Sequence, residues 1–147
     1  RTAVALVDQW RRVLDVDVAV VEMEWKAYLV MRDQPGQCDL IRFGWSADFV
    51  DPEAFLALFT SGHAQNVSGY ANPAYDALLS RASDAADAGQ RAATLARAER
   101  ILLQDAVVIP IFHRVSKRLV KPGIEGISVN SLGHLPSRYL RLRQPEK

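Results

Sequence analysis

Hydrophobic residues recur at helical spacing in two early parts of the chain. Ala3, Val7, Trp10 and Leu14 lie three or four residues apart, which predicts an amphipathic helix over residues 2–14. The same spacing predicts a second helix over residues 24–32, which the turn signal of residues 34–36 ends. Its apolar face would carry Trp25, Tyr28 and Leu29.

Alternating or continuous apolar residues predict several strands. Val16, Val18 and Val20 alternate with other side chains, and residues 40–45 form a second β-rich run. Residues 107–112 predict a third strand, interrupted by Pro110, which residues 118–120 would extend. A last strand is predicted at residues 139–142. Two successive helix–strand units indicate an α/β layer with at least one parallel strand pair.

Three further helices are predicted by their starting residues. Asp51-Pro52-Glu53 and Asn72-Pro73 each combine an N-capping side chain with a proline at the first helical position. Asp87, followed three residues later by Gln90, resembles a capping box and opens a helix to about residue 104. The apolar faces of these three helices are predicted to contain Phe55, Leu56, Leu58, Phe59, Tyr75, Leu78, Leu79, Ala82, Leu95, Ala98 and Leu102.

Composition and charge exclude several classes of protein. The 147 residues are 49% hydrophobic and 24% charged, which is typical of a globular chain with a core of its own. The 18 basic and 17 acidic residues leave a net charge of +1, which argues against a nucleic-acid partner. A lone cysteine, Cys38, excludes an internal disulfide and is expected to be buried. The chain opens inside a predicted helix without an initiator methionine, so we expect a fragment or a processed product.

No catalytic or metal-binding motif is found. The three histidines are far apart, and neither a nucleophile elbow nor a phosphate-binding glycine loop occurs, so we expect no enzyme, no metal and no cofactor. Arg91, Arg97 and Arg100 are expected to form the solvated face of the last long helix.

Four motifs follow one another in a recognisable order. The sequence reads DLIRFGWSADFVDPEAFL over residues 39–56 and YANPAYDALL over residues 70–79. It continues with RAATLARAERILL over residues 91–103 and DAVVIPIF over residues 105–112. Together the four motifs closely resemble the C-terminal part of extracellular family 5 solute-binding proteins, the oligopeptide- or dipeptide-binding components of ABC importers.

That resemblance implies a fold, a domain division and a function. The fold would be the C-terminal lobe of a type II periplasmic-binding protein, α/β with a mixed sheet flanked by helices. Residues 1–110 would form the ligand-binding lobe, and residues 111–147 a hinge-crossing strand and a tail that returns to the N-terminal lobe. The whole protein would capture peptides or similar small solutes outside the cytoplasm, in the periplasm or at the cell surface, and deliver them to a membrane permease.

Other functions remain open at this point. The same fold can serve as the sensory domain of a transcriptional regulator, and members of the family also bind nickel complexes, haem or sugars. An upstream signal or lipid-attachment sequence would favour transport, whereas an upstream helix-turn-helix would favour regulation. The isolated chain is also expected to self-associate, because apolar residues in its tail would lose their partner lobe.

The resemblance also implies the residues that bind ligand. The aspartate that matches Asp48 pairs with the ligand's α-ammonium group in peptide-binding members, and the arginine that matches Arg42 can meet a ligand carboxylate. The residues alone leave alternatives, since Asp48 also fits a turn, Arg42 a surface position and Trp45 a core position. The full set of expected ligand-binding residues is Arg42, Gly44, Trp45, Ser46, Asp48 and His113.

Overall fold

The computed structural model describes residues 2–34 and 36–143, and the chain divides into two compact units. The first unit comprises Arg1–Gly44 with Val67–Gly69, and the second comprises Trp45–Asn66 with Tyr70–Lys147. Helices α1 (Thr2–Leu14) and α2 (Trp25–Arg32) belong to the first unit. The elements of the second unit are α3 (Glu53–Leu56), α4 (Pro73–Ser83), α5 (Ala88–Gln104), β1 (Ile124–Glu125) and β2 (Arg141–Leu142).

The two helices of the first unit lie where the hydrophobic spacing predicts them. At the start of α2, the Glu24 carboxylate accepts a hydrogen bond from the Lys26 amide at 2.8 Å. The Trp25 ring stacks on Tyr28, with the ring centroids 5.3 Å apart. Neither helix contains a fully buried residue. The expected helix break falls partly on Pro35, which lies outside the described residues, and Cys38 is exposed rather than buried.

The core of the second unit forms between α4 and α5, with α3 packed against them. Asn72 caps α4 by accepting hydrogen bonds from the Ala74 and Tyr75 amides, and Asp87 caps α5 through the Gln90 amide at 2.7 Å. These local signals explain why both helices begin where the sequence predicts. The buried core cluster consists of Leu56, Tyr75, Leu78, Leu79, Ala82, Leu95, Ala98 and Leu102.

The short helix α3 differs from its prediction in where it begins and in which side chains form its apolar face. It begins at Glu53, although the Asp51 carboxylate still accepts a hydrogen bond from the Glu53 amide at 2.8 Å. A 3-10 turn, Ala57–Phe59, continues it. Phe55 is 45% exposed and does not join the apolar face that buries Leu56 and Leu58.

Most of the predicted strands do not form within the described residues. Residues 16–21, 40–45, 107–112 and 118–120 carry neither helix nor strand. The described strand pairing joins β1 to β2 in antiparallel register, with Ile124 opposite Leu142. The expected parallel pair is therefore not formed here, because a β-rich run becomes a strand only where a second run supplies hydrogen-bonding partners.

The β1–β2 pair closes tightly beside a glycine. Gly126 has a φ of 86°, and a Cβ atom at this position would lie 1.7 Å from the carbonyl oxygen of Tyr139. Only glycine fits this backbone crossing. In the part of the chain that the structure describes, no helix combines the length and apolar character required to cross a bilayer.

Candidate ligand-binding site

Arg42 and Gly44 lie at the end of the first unit. The backbone carbonyl of Arg42 accepts a hydrogen bond from the Tyr28 hydroxyl at 3.1 Å, which attaches this segment to α2. The side chain of Arg42 is exposed. A Cβ atom at Gly44 would find nothing within 4 Å, so the described residues leave open space beside this glycine.

Trp45, Ser46 and Asp48 lie at the start of the second unit, in a segment without helix or strand. Trp45 is 36% exposed, and Ser46 and Asp48 are also exposed. Asp48 is three residues before Asp51, whose carboxylate accepts a hydrogen bond from the first amide of α3. The aspartate is therefore accessible to a ligand and lies close in sequence to a fixed point of the fold.

An ion-pair cluster provides that fixed point. Two Arg91 nitrogens contact Asp51, with Nη1 2.5 Å from Oδ2 and Nη2 3.1 Å from Oδ1. The same Nη2 lies 2.5 Å from Oε2 of Glu53. The three side chains are only 25–26% exposed. Hydrogen bonding from Arg91 lowers the pKa of Asp51 below its usual 3.8, and the same contact raises the pKa of Arg91.

The prediction that Arg91 belongs to a solvated helix face is therefore wrong. Arg97 and Arg100 are exposed as expected, but Arg91 faces two carboxylates that lie about 40 residues earlier in the chain. Helical spacing alone does not separate the three arginines. The signal that could have indicated the pairing is the acidic start Asp51-Pro52-Glu53 together with Arg91, the one arginine in the first turn of α5.

A second polar cluster holds Tyr70 and Asn72 against the end of α5. The Tyr70 hydroxyl donates to the Asp105 carboxylate at 2.5 Å, and the Asn72 amide donates to the same oxygen at 3.1 Å. Burial, followed by the bond to Asp105, raises the pKa of the Tyr70 hydroxyl. The Asn66 side-chain amide donates to the carbonyls of Thr60 and Tyr70. Tyr70, Asn72 and Asp105, which belong to the quoted motifs, therefore make structural contacts in this chain.

The remaining aromatic motif residue, Tyr75, lies inside the core. It is fully buried, and its hydroxyl donates to the Leu56 carbonyl at 2.6 Å. Burial raises the pKa of this hydroxyl. The Tyr70 ring meets Tyr75 edge-on, with ring centroids 5.6 Å apart. Tyr75 thus joins α3 to α4.

His113 lies in the exposed segment of residues 109–122, which has no helix or strand. The flanking Phe112 is 62% exposed and Val115 is 76% exposed, so the segment presents apolar side chains to its surroundings. Among the described residues, no group of three or more His, Cys, Asp or Glu side chains is placed to hold a metal ion.

Known proteins resemble this chain over most of its length. No family model matches it. The periplasmic murein peptide-binding protein MppA of Escherichia coli K12 is 38% identical over 131 residues, which are 89% of this chain and 24% of MppA. The periplasmic oligopeptide-binding protein OppA of Haemophilus influenzae is 37% identical over 145 residues, which are 97% of this chain and 26% of OppA.

Two solved structures of these proteins share the fold. The structure of E. coli MppA has a TM-score of 0.88 at 36% identity, covering 97% of this chain and 28% of that one. The H. influenzae OppA complex with the peptide RPPGFSPFR has a TM-score of 0.86 at 36% identity, with the same coverage. The chain is homologous to one part of the family 5 solute-binding proteins.

This homology confirms the predicted family and the predicted α/β fold class of the type II periplasmic-binding proteins. The chain spans about a quarter of the length of these relatives. A third relative, the E. coli periplasmic protein YgiS, is named for deoxycholate binding and is 36% identical over 140 residues, which are 95% of this chain and 25% of YgiS. Relatives of similar identity are therefore named for chemically different ligands.

Proposed function

We propose that this chain is the C-terminal ligand-binding part of a solute-binding protein that captures peptides for an ABC importer. Similarity over 97% of the chain to an OppA that was solved with a bound peptide carries this proposal. In the whole protein, the chain would act outside the cytoplasm and pass its ligand to a membrane permease. Residues 1–110 would form the ligand-binding lobe, and residues 111–147 would return to the N-terminal lobe.

Asp48 is the main polar anchor in this proposal. Its exposed carboxylate would pair with the α-ammonium group of the peptide, with Trp45 and Ser46 beside it on the same segment. Arg42 would meet a carboxylate of the ligand, Gly44 would leave room for the ligand backbone, and His113 would line the cleft. Asp48, Trp45 and Ser46 lie on one short segment, which supports a shared role.

A second ligand class is favoured by one observation. The similarity to YgiS, named for deoxycholate binding, is nearly as high as the similarity to the peptide binders. An amphipathic solute without an ammonium group would use the exposed aromatic surface near Trp45 and would not need the charge of Asp48. The two ligand classes therefore differ in their dependence on this carboxylate.

Calorimetry of the intact binding protein with trialanine tests the role of Asp48. Because removal of one partner from a desolvated ion pair typically costs about 3–5 kcal/mol, Asp48→Ala and Asp48→Asn should each weaken binding by about two decades or more. The matched control, Glu99→Ala, removes an exposed carboxylate from α5 and should leave affinity unchanged. A change of less than about threefold in the Asp48 variants would remove this residue from the site.

A further inference from the structure

The segment that carries Trp45, Ser46 and Asp48 has little regular structure of its own. Residues 45–50 form neither helix nor strand, and Phe49 and Val50 are 52% and 72% exposed. A backbone hydrogen bond from the Asp51 amide to the Phe49 carbonyl closes a tight turn at its end, at 2.9 Å. One end of the segment is therefore tied to residue 51, so its position depends in part on where that residue is attached.

The guanidinium group of Arg91 attaches Asp51 to α5. The guanidinium meets both oxygens of Asp51 and one oxygen of Glu53, an arrangement that fixes the direction as well as the distance of the pair. Helix α3 has four residues and cannot be stable without such support. Its attachment point is therefore set by the ion pairs and the core contacts beneath it.

Helix α4 contributes to the same attachment. The Ser83 hydroxyl, in the last turn of α4, donates to the Glu53 carboxylate at 3.0 Å. Glu53 thus contacts α5 through one oxygen and α4 through the other. The start of α3 is joined to both long helices of the second unit, which contain most of its buried core residues.

We infer that Arg91 is a positioning residue that sets the place of the Trp45–Val50 segment through Asp51 and Glu53 without touching the ligand. Asp51 follows Asp48 by three positions, so the Cα atoms of the two residues lie within about 11 Å even in a fully extended chain. Release of Asp51 would let the Asp48 carboxylate sample positions that do not meet an ammonium group. This inference rests on the proposed ligand-binding role of Asp48.

Nuclear magnetic resonance on the 147-residue chain tests the positioning of the segment. In Arg91→Gln, backbone ¹⁵N relaxation should show increased mobility at residues 46–50. Hydrogen exchange at the Asp51 and Glu53 amides should accelerate by about tenfold or more, because the charged partner of the cap is lost. Arg91→Lys keeps the charge but not the fork, so it should restore part of the protection.

A matched variant separates positioning from general stability. Leu95 is one turn further along α5 and only 3% exposed, so Leu95→Ala should destabilise the whole core. That variant should accelerate exchange along α4 and α5, whereas Arg91→Gln should accelerate exchange at the Asp51 and Glu53 amides more strongly than along these helices. Wild-type exchange at Asp51 and Glu53 in Arg91→Gln, or an acceleration spread evenly over α4 and α5, would overturn the inference.

Ligand affinity, measured in the intact protein, tests whether the contacts of Arg91 with Asp51 and Glu53 affect binding. Calorimetry with trialanine should show about tenfold weaker binding for Arg91→Gln and no change for Arg97→Gln, which alters an exposed arginine of the same helix. Full affinity in Arg91→Gln, together with weakened binding in Asp48→Ala, would overturn the positioning role and leave the proposed function intact. Unchanged binding in Asp48→Ala would instead overturn the binding role of Asp48, whatever the relaxation data show.

Discussion

At the residue scale, Asp51 links the local start of a helix to a long-range ion pair. It accepts the Glu53 amide and also both nitrogens of the Arg91 fork. The first role could be predicted, because a capping aspartate before a proline is a local signal. The second could not, since the partner lies 40 positions away and nothing in helical periodicity distinguishes Arg91 from Arg97.

Because of the Asp51–Arg91 ion pair, the free energy of unfolding should change with pH under acidic conditions. Because the bond from Arg91 lowers the pKa of Asp51 below 3.8 in the folded chain, the ionised carboxylate stabilises the fold above that pH. This contribution is lost as the pH falls through the lowered folded-state pKa. Urea unfolding should therefore show that Asp51→Asn is less stable than wild type at neutral pH and that the difference disappears in strong acid.

A second variant identifies the source of that pH dependence. Arg91→Gln removes the group that lowers the pKa of Asp51, so its stability profile should lose the same acid-dependent component. Asp51→Asn added to Arg91→Gln should then cost less at neutral pH than it does in wild type. Parallel wild-type and Asp51→Asn profiles over the whole pH range would show that ionisation of Asp51 contributes no pH-dependent stability.

Only part of the candidate site could be predicted from the sequence. Asp48, Trp45 and Arg42 were identified through resemblance of their motif, and the structure places Asp48 and Trp45 on one segment with some exposure to solvent. The importance of Tyr70 and Asp105 was not predicted. Their contact closes a loop of 35 residues, and such a pairing depends on how α4 packs against α5.

At the element scale, helices were predicted better than strands for a physical reason. A helix forms its backbone hydrogen bonds among its own residues, and α4 and α5 also carry local N-caps, so they begin at the expected Asn72 and Asp87. A strand depends on a partner whose identity no local pattern contains. Of the predicted strands, the last one matches in part, as Arg141–Leu142 in β2.

The β1–β2 pair should depend on Gly126. An added Cβ would lie 1.7 Å from the Tyr139 carbonyl oxygen, so Gly126→Ala should open the pair. The matched control is Gly123→Ala, with a similar φ of 89° but open space around it, which should cost only about 1–2 kcal/mol of backbone strain. Cross-strand nuclear Overhauser contacts between Ile124 and Leu142 report the outcome, and their persistence in Gly126→Ala would contradict this packing.

At the scale of the whole molecule, much apolar surface remains uncovered. Leu119 and Val129 are almost completely exposed, as are large parts of Val115 and Phe112. In the proposed two-lobed protein, these side chains would contact the other lobe. Exposed apolar surface of this kind promotes association, so the 147-residue chain should form concentration-dependent oligomers in light-scattering measurements. A strictly monomeric chain with a protected tail would place the domain boundary elsewhere.

The isolated chain should also bind peptide poorly. Its Asp48 carboxylate faces solvent, where an ion pair is worth only about 0–1 kcal/mol, because water competes for both partners. We therefore expect no affinity tighter than millimolar for trialanine with the 147-residue chain. Micromolar binding in a titration followed by calorimetry would show that this part of the protein forms a complete site alone.

The most direct test of the proposed function is calorimetry of the intact protein with a panel of di- to pentapeptides. Extended ligands held largely through their backbone and α-ammonium groups should bind with affinities set more by length than by side chains. Peptides with a blocked amino terminus should bind much more weakly, because Asp48 would lose its partner. Saturable binding of unblocked peptides across varied sequences is the predicted result. Binding of only a sugar, a metal complex or a bile acid, with no peptide response, would contradict the account.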